Sequence, residues 1–246
     1  MSPAEQTRYS RQILLPGFGD AAQAALKDSR VLVVGLGGLG SPVAMYLAAA
    51  GVGRLLLADF DAVDLSNLQR QLLHTSDRIG WTKVDSAMAA LSALNPHCNL
   101  VPIKRSLNAE RLAALSAEVD LVVDASDNFQ TRYAVNAACV SASIPLVSGA
   151  AIRAEGQVAV FSGRAGEPCY QCLYPDGGQE GERCAREGVL APLVGIIGSI
   201  QATEAIKVLT SYGEPLFAKL LLLDAQTMAI RTLGIPPDPQ CPVCGA

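Results

Sequence analysis

The chain of 246 residues has no excess of basic charge: 19 lysines and arginines stand against 23 aspartates and glutamates, a formal net charge of −4. Without a cationic field it has no means of holding a phosphate backbone by counterion release, and nucleic acid is excluded as a main partner. Histidine is nearly missing, with only His74 and His97, each beside an expected helix end where a surface or capping role suits it. Long apolar runs are missing too. Residues 31–53 are broken by glycines and Pro42, and residues 133–152 by Asn136, serines and Pro145. Residues 190–209 carry Gln201, Glu204 and Lys207, which fits a buried amphipathic helix better than a membrane span. The start, MSPAEQTRYSRQ, lacks the apolar core of a secretory signal, so a soluble, cytoplasmic protein without a membrane partner is expected. What is present is apolar: 50% of residues are hydrophobic and 17% charged, enough to fill a core and exclude global disorder. The length suits one large domain, or one core with an appendage.

Short apolar runs at 30–34, 54–58, 100–103, 119–123 and 145–147 have the length and branching of strands buried on both faces. Helical patterns alternate with them at 39–50, 82–94, 108–116 and 128–141. Such alternation predicts an α/β fold: a Rossmann-like, mostly parallel sheet with helices on both faces. The rhythm changes after Gly149. A strand is expected at 157–161, a long loop at 169–188, then the 190–209 helix, a strand at 219–223 and an irregular tail at 236–246. The organisation read from this is an arm at 1–29, a nucleotide-binding core at 30–150 and an extension at 151–246.

Gly35, Gly37 and Gly40 form G-x-G-x-x-G directly after the strand VLVV and before a helix, with Asp59 closing the next strand. The glycines permit a tight turn, ligand approach and close helix packing, while an acid at that distance suits ribose hydroxyls. The motif leaves the nucleotide open, and an NAD-dependent oxidoreductase is one reading. It lacks an evident proton donor. Beyond Asp59, Asn67, Arg70 and Gln71 fall within two expected helical turns and Lys83 opens the next helix, a basic setting for a triphosphate. Asp127 and Asn128 follow the strand ending at Asp124, where a carboxylate can hold magnesium beside phosphates. Each alone is equally consistent with a cap or a surface ion pair; together they describe a site for magnesium and ATP.

Cys169-Tyr-Gln-Cys172 and Cys241-Pro-Val-Cys244 are two C-x-x-C knuckles, the ligand set of a closed structural zinc site. Such a site staples the tail and does not catalyse. Cys98 and Cys139 have apolar or helical neighbours and read as inert core residues. Cys184 lies in a polar glycine-rich loop between Arg183 and Arg186, whose charges favour a thiolate; a spare exposed cysteine is the alternative.

As a set, RYSRQ, GLGGLGSP, DFDAVDLSNLQRQ, KVDSA, DASDN, PLVSGAAI, CYQC, GSIQATEAIK and CPVCG span nearly the whole chain. They resemble the MoeB/ThiF/HesA adenylyltransferases, bacterial relatives of the ubiquitin-activating enzymes. The resemblance implies a single adenylation domain that uses ATP to activate the C-terminal Gly-Gly carboxylate of a ubiquitin-like sulfur-carrier protein, for molybdopterin, thiamine or related sulfur-transfer biosynthesis. It implies that Gly35, Gly37, Gly38 and Gly40 hold the nucleotide, with Asn67, Gln71 and Asn128 beside it. Asp59 would bind ribose, Arg70 and Lys83 would contact phosphates, and Asp127 would hold magnesium. Arg11 would reach in from the other subunit of a homodimer. GAAIRAEGQ resembles MoeB, whereas CLYPDGG followed by ERC resembles ThiF, in which the thiol matching Cys184 links covalently to the carrier. No sulfurtransferase domain follows, so a separate sulfur donor is expected. A zinc-bearing interaction protein without catalysis is the remaining alternative, and it leaves Arg11, Arg70, Lys83 and Asp127 without a purpose.

Overall fold

The computed structural model describes residues 1–175 and 187–245. Two helices, α1 (Pro3–Ile13) and α2 (Gly19–Asp28), precede the first strand, β1 (Arg30–Val34). The chain then alternates through α3 (Gly40–Ala50), β2 (Arg54–Ala58), α4 (Lys83–Leu94), β3 (Asn99–Ile103), α5 (Ala109–Ser116), β4 (Leu121–Asp124), α6 (Phe129–Ala142) and β5 (Leu146–Ile152). It continues with β6 (Glu155–Phe161), the short α7 (Tyr170–Leu173), α8 (Ala191–Thr210), β7 (Lys219–Asp224) and β8 (Ala229–Gly234). Helix starts follow the cap chemistry: Thr82, Asn108 and Asn128 each accept a backbone N–H from the first turn of the helix they open.

The eight strands of the described residues form one sheet in the order β3-β2-β1-β4-β5-β6-β7-β8. The first five are parallel and the last three antiparallel. Successive strand residues face opposite sides, and here both sides are covered. Val31, Val33, Leu55, Leu57, Leu121 and Val123 pack toward α3, α4 and α8. Leu32, Val34, Leu56 and Val122 pack toward α5, α6 and Tyr170. Helix α8 is long and apolar enough to cross a membrane, but Leu193, Val194, Ile197, Ala202 and Ala205 sit in the first of these layers. It is a core helix.

Three sequence expectations need correction. Strand β8 forms between the expected strand at 219–223 and the irregular tail at 236–246, where no element was expected; it was hidden because most of its residues are exposed. Residues 65–71 do not make two helical turns: a single 3-10 turn, Leu65–Asn67, is followed by hydrogen-bonded turns. Within the expected loop at 169–188 the described part contains α7.

The strand order reverses direction at β1. From it the chain winds outward through β2 to β3, then returns to β4 on the other side. In open α/β sheets the carboxyl ends of strands at such a switch point are where ligands bind. The turn after β1 and the loop after β4 are therefore neighbours.

Candidate active site

Gly35 adopts φ +92°, and a Cβ there would lie 2.7 Å from the Ala125 carbonyl oxygen. An L-residue would carry the left-handed penalty of roughly 1–2 kcal/mol in addition to that clash. A Cβ on Gly40 would lie 1.9 Å from the Gly35 carbonyl oxygen, so the helix start and the turn touch backbone to backbone. Gly37 is more open, its Cβ position meeting, among the described residues, the Gln71 side chain alone, with the amide nitrogen at 3.4 Å.

Asp59, at the end of β2, closes the turn from the side. Its Oδ2 accepts the Leu36 N–H at 2.7 Å and its Oδ1 the Asp61 N–H at 2.8 Å. Burial pushes its carboxyl pKa up, while Lys83 works in the other direction. Lys83, at the first turn of α4, is 6% exposed and places Nζ 2.8 Å from Asp61 Oδ2. Gln71 is buried; its Nε2 donates to Asn67 Oδ1 at 3.1 Å, and its Oε1 has no partner among the described residues. Arg70 is half-buried, with Nη1 donating to the Ser66 carbonyl at 3.1 Å.

The loop after β4 is shaped by Asp124, which the sequence marked only as a strand end. Its carboxylate is fully buried and accepts from Ser126 N at 3.0 Å, Ser126 Oγ at 2.7 Å and Ser148 Oγ at 3.2 Å. Burial pushes its pKa up, and the nearby Arg132 guanidinium opposes the shift. Arg132 Nη2 also donates to the Ser126 carbonyl at 2.7 Å. On this base Asn128 caps α6, while Asp127 is exposed and receives a 3.5 Å hydrogen bond from Asn128 Nδ2. Asp127 opens onto a cleft of about 570 Å³ that runs along β6 to β8, past Arg132, Gln157, Tyr174, Arg153 and Arg231.

His74 corrects the sequence reading. It is 4% exposed, with Nε2 3.0 Å from the Leu36 carbonyl oxygen and Nδ1 2.9 Å from Ser86 Oγ, beneath the glycine turn. His97 is exposed, as expected. Arg11 is not brought to this chain's turn. Its neighbour Gln12 donates to the Ala50 carbonyl at the far end of α3, an 11-residue helix, and that helix is roughly 16 Å long.

Cys169, Cys172, Cys241 and Cys244 bring their sulfurs within 4.8 Å of one another, with Cys169–Cys241 at 3.7 Å and Cys172–Cys244 at 3.3 Å. A tetrahedral zinc with bonds of about 2.3 Å places its sulfurs about 3.8 Å apart, so the donor set fits that ion. Asn136 on α6 ties the cluster to the core, donating to Cys169 Sγ at 3.4 Å and accepting Tyr170 N–H at 2.9 Å. Burial pushes the Cys98 thiol up to about 12 and raises that of Cys139, in keeping with inert core residues. Cys184, with Arg183 and Arg186, lies outside the described residues.

Comparison with known proteins agrees with this layout. The chain is 53% identical over 245 residues to the molybdopterin-synthase adenylyltransferase of Escherichia coli, covering 100% of this chain and 98% of that protein. It is 45% identical over 240 residues to the SAMP-activating enzyme E1 of Haloferax volcanii, covering 97% of this chain and 88% of that protein. The solved structure of E. coli MccB with ATP superposes with a TM-score of 0.85 at 26% identity, covering 97% of this chain and 74% of that chain. The family model for ThiF matches residues 9–243. With the glycine turn, its acidic partner and the cysteine cluster arranged as described, the chain belongs to the ThiF family.

Proposed function

We propose that this protein uses ATP to adenylate the C-terminal Gly-Gly carboxylate of a ubiquitin-like sulfur-carrier protein, as one cytoplasmic adenylation domain serving molybdopterin biosynthesis. The observation that carries the reading is the convergence of the Gly35–Gly40 turn, Asp59, Lys83 and Asp127 on the carboxyl ends of β1, β2 and β4. The names of the relatives support the choice of substrate and pathway. A carboxylate oxygen of the carrier attacks the α-phosphorus of ATP, the bond from that phosphorus to the β-phosphate oxygen breaks, and pyrophosphate leaves with the electron pair. An ionised carboxylate gains little from a general base but much from oriented cations that absorb charge on the leaving group.

Lys83 and Arg70 are assigned those contacts, and Asp59 the ribose hydroxyls through its remaining lone pairs. Asn67, Gln71 and Asn128 frame the nucleotide. Asp127 would hold magnesium, which supplies charge neutralisation at the phosphates when bound. The cleft beyond Asp127 is the path assigned to the carrier's extended C-terminal tail. The four cysteines hold zinc as a structural staple. Arg11 completes the phosphate site of a second copy in a homodimer, a role its distance from its own turn supports. Cys184 is assigned to sulfur transfer after adenylation, with sulfur from a separate donor.

An oxidoreductase on the same turn is disfavoured, because His74 is engaged beneath the backbone and offers no proton to a substrate. The testing experiment is exchange of labelled pyrophosphate into ATP. Exchange should require a carrier ending in Gly-Gly and stop when the last glycine is removed; equal exchange with free amino acids would sink the assignment.

A further inference from the structure

The His74 imidazole is held between the glycine turn and α4. Leu36 is held through both of its backbone groups, one in each flanking peptide: Asp59 Oδ2 accepts its N–H at 2.7 Å, and His74 Nε2 stands 3.0 Å from its carbonyl oxygen. A carbonyl only accepts, so Nε2 must carry the hydrogen. In the neutral ring Nδ1 is then an acceptor, and Ser86 Oγ at 2.9 Å is the donor that fixes this tautomer. Ser86 sits on α4, one turn beyond Lys83, and its own carbonyl accepts Arg78 Nη1 at 3.0 Å. In a planar trans peptide the carbonyl and the following N–H point in opposite directions. Anchoring the Leu36 carbonyl below the turn therefore turns the Gly37 N–H to the opposite side, where Gly37 leaves the backbone open.

We propose that His74, oriented by Ser86, is a positioning residue for ATP: it fixes the Leu36–Gly37 peptide plane so that the Gly37 N–H is presented to the nucleotide. The inference rests on the ATP-dependent reading above. Burial lowers the His74 pKa, with Lys83 and Arg78 acting in the same direction and the Leu36 carbonyl and Asp59 against it, so the ring is neutral near physiological pH. A ring buried only to fill space requires neither a defined tautomer nor two matched partners. The role also couples the two ends of the site, because Lys83 and Ser86 ride on the same helix.

The test is ATP binding by calorimetry without carrier, alongside carrier binding and thermal melting. His74→Leu removes the donor at similar volume and should weaken ATP binding about tenfold, the scale of one lost oriented hydrogen bond. Carrier affinity should not change. His74→Gln offers an amide N–H to the same carbonyl and should recover affinity to within about threefold of the starting protein. Nitrogen chemical shifts of the starting protein should report the Nε2–H tautomer. An Nδ1–H tautomer, or His74→Leu binding ATP as the starting protein does, would overturn the inference. If His74→Leu does not fold, Ser86→Ala decides: ATP binding weakened about two- to fivefold with unchanged carrier binding supports the role, and unchanged ATP binding overturns it. Failure of the starting protein to bind ATP would overturn the adenylation reading itself.

Discussion

At Lys83 a buried ammonium and an exposed carboxylate are held 2.8 Å apart, and a polyphosphate entering the site would compete with Asp61 for that cation. Asp61 did not stand out in the sequence because no motif spacing marks it; the Lys83 N–H bond to the Asp61 carbonyl at 2.9 Å creates the pairing only once the chain is folded. His74 shows the same effect with a consequence for pH. Its pKa is lowered from 6.5 in the folded protein, chiefly by burial, so between the two values the unfolded chain binds more protons than the folded one. Stability is then lost as pH falls below the unfolded value. The melting temperature should therefore drop between about pH 7 and about pH 5, and the drop should be smaller in His74→Gln. Asp59 and Asp124, whose pKa values are raised by burial, act with the opposite sign, but they are common to both proteins and leave the difference to His74. An identical pH slope in the two proteins would contradict the assignment.

Among the elements, those with a strong local signal were legible. Strands β1, β2 and β4 are continuous apolar runs because both faces are covered, and the helices beginning at Lys83, Ala109 and Phe129 are announced by Thr82, Asn108 and Asn128. Strand β8 was not legible, since an exposed edge strand, AIRTLG, has no buried face to write a period into the sequence. The end of β5 escaped for a related reason: Ser148, Gly149, Ala150 and Ala151 are small, and a Cβ on Gly149 would meet Gln201 of α8 at 2.3 Å. His74 was misjudged because its burial depends on α4 folding over it, which its neighbours in sequence do not reveal. The knuckles were legible from spacing alone, and they give a prediction at this scale. Purified protein should contain about one zinc per chain, and Cys241→Ser should lower the melting temperature far more than the activity of whatever folds, because a closed thiolate site contributes folding energy. Freshly reduced protein without zinc would count against it.

Over the whole molecule, the reversal of strand order at β1 is what brings the glycine turn and the Asp127 loop together, although about 90 residues separate them in the chain. The same architecture keeps Arg11 at the far end of α3, which makes subunit mixing informative. Arg11→Ala and Asp127→Ala should each be nearly inactive alone. In the proposed homodimer, subunit exchange should leave about half the dimers mixed, each with one intact site, so roughly a quarter of sites should recover. No recovery despite proven exchange would return Arg11 to its own chain's site. The central claim, that these elements serve attack on the α-phosphorus, is tested most directly by following label from ATP to the carrier in a rapidly quenched reaction. The account predicts that label at the α-phosphate appears on the carrier while label at the γ-phosphate leaves as pyrophosphate. Carrier labelled from the γ-phosphate would mean phosphorylation in place of adenylation and would contradict it.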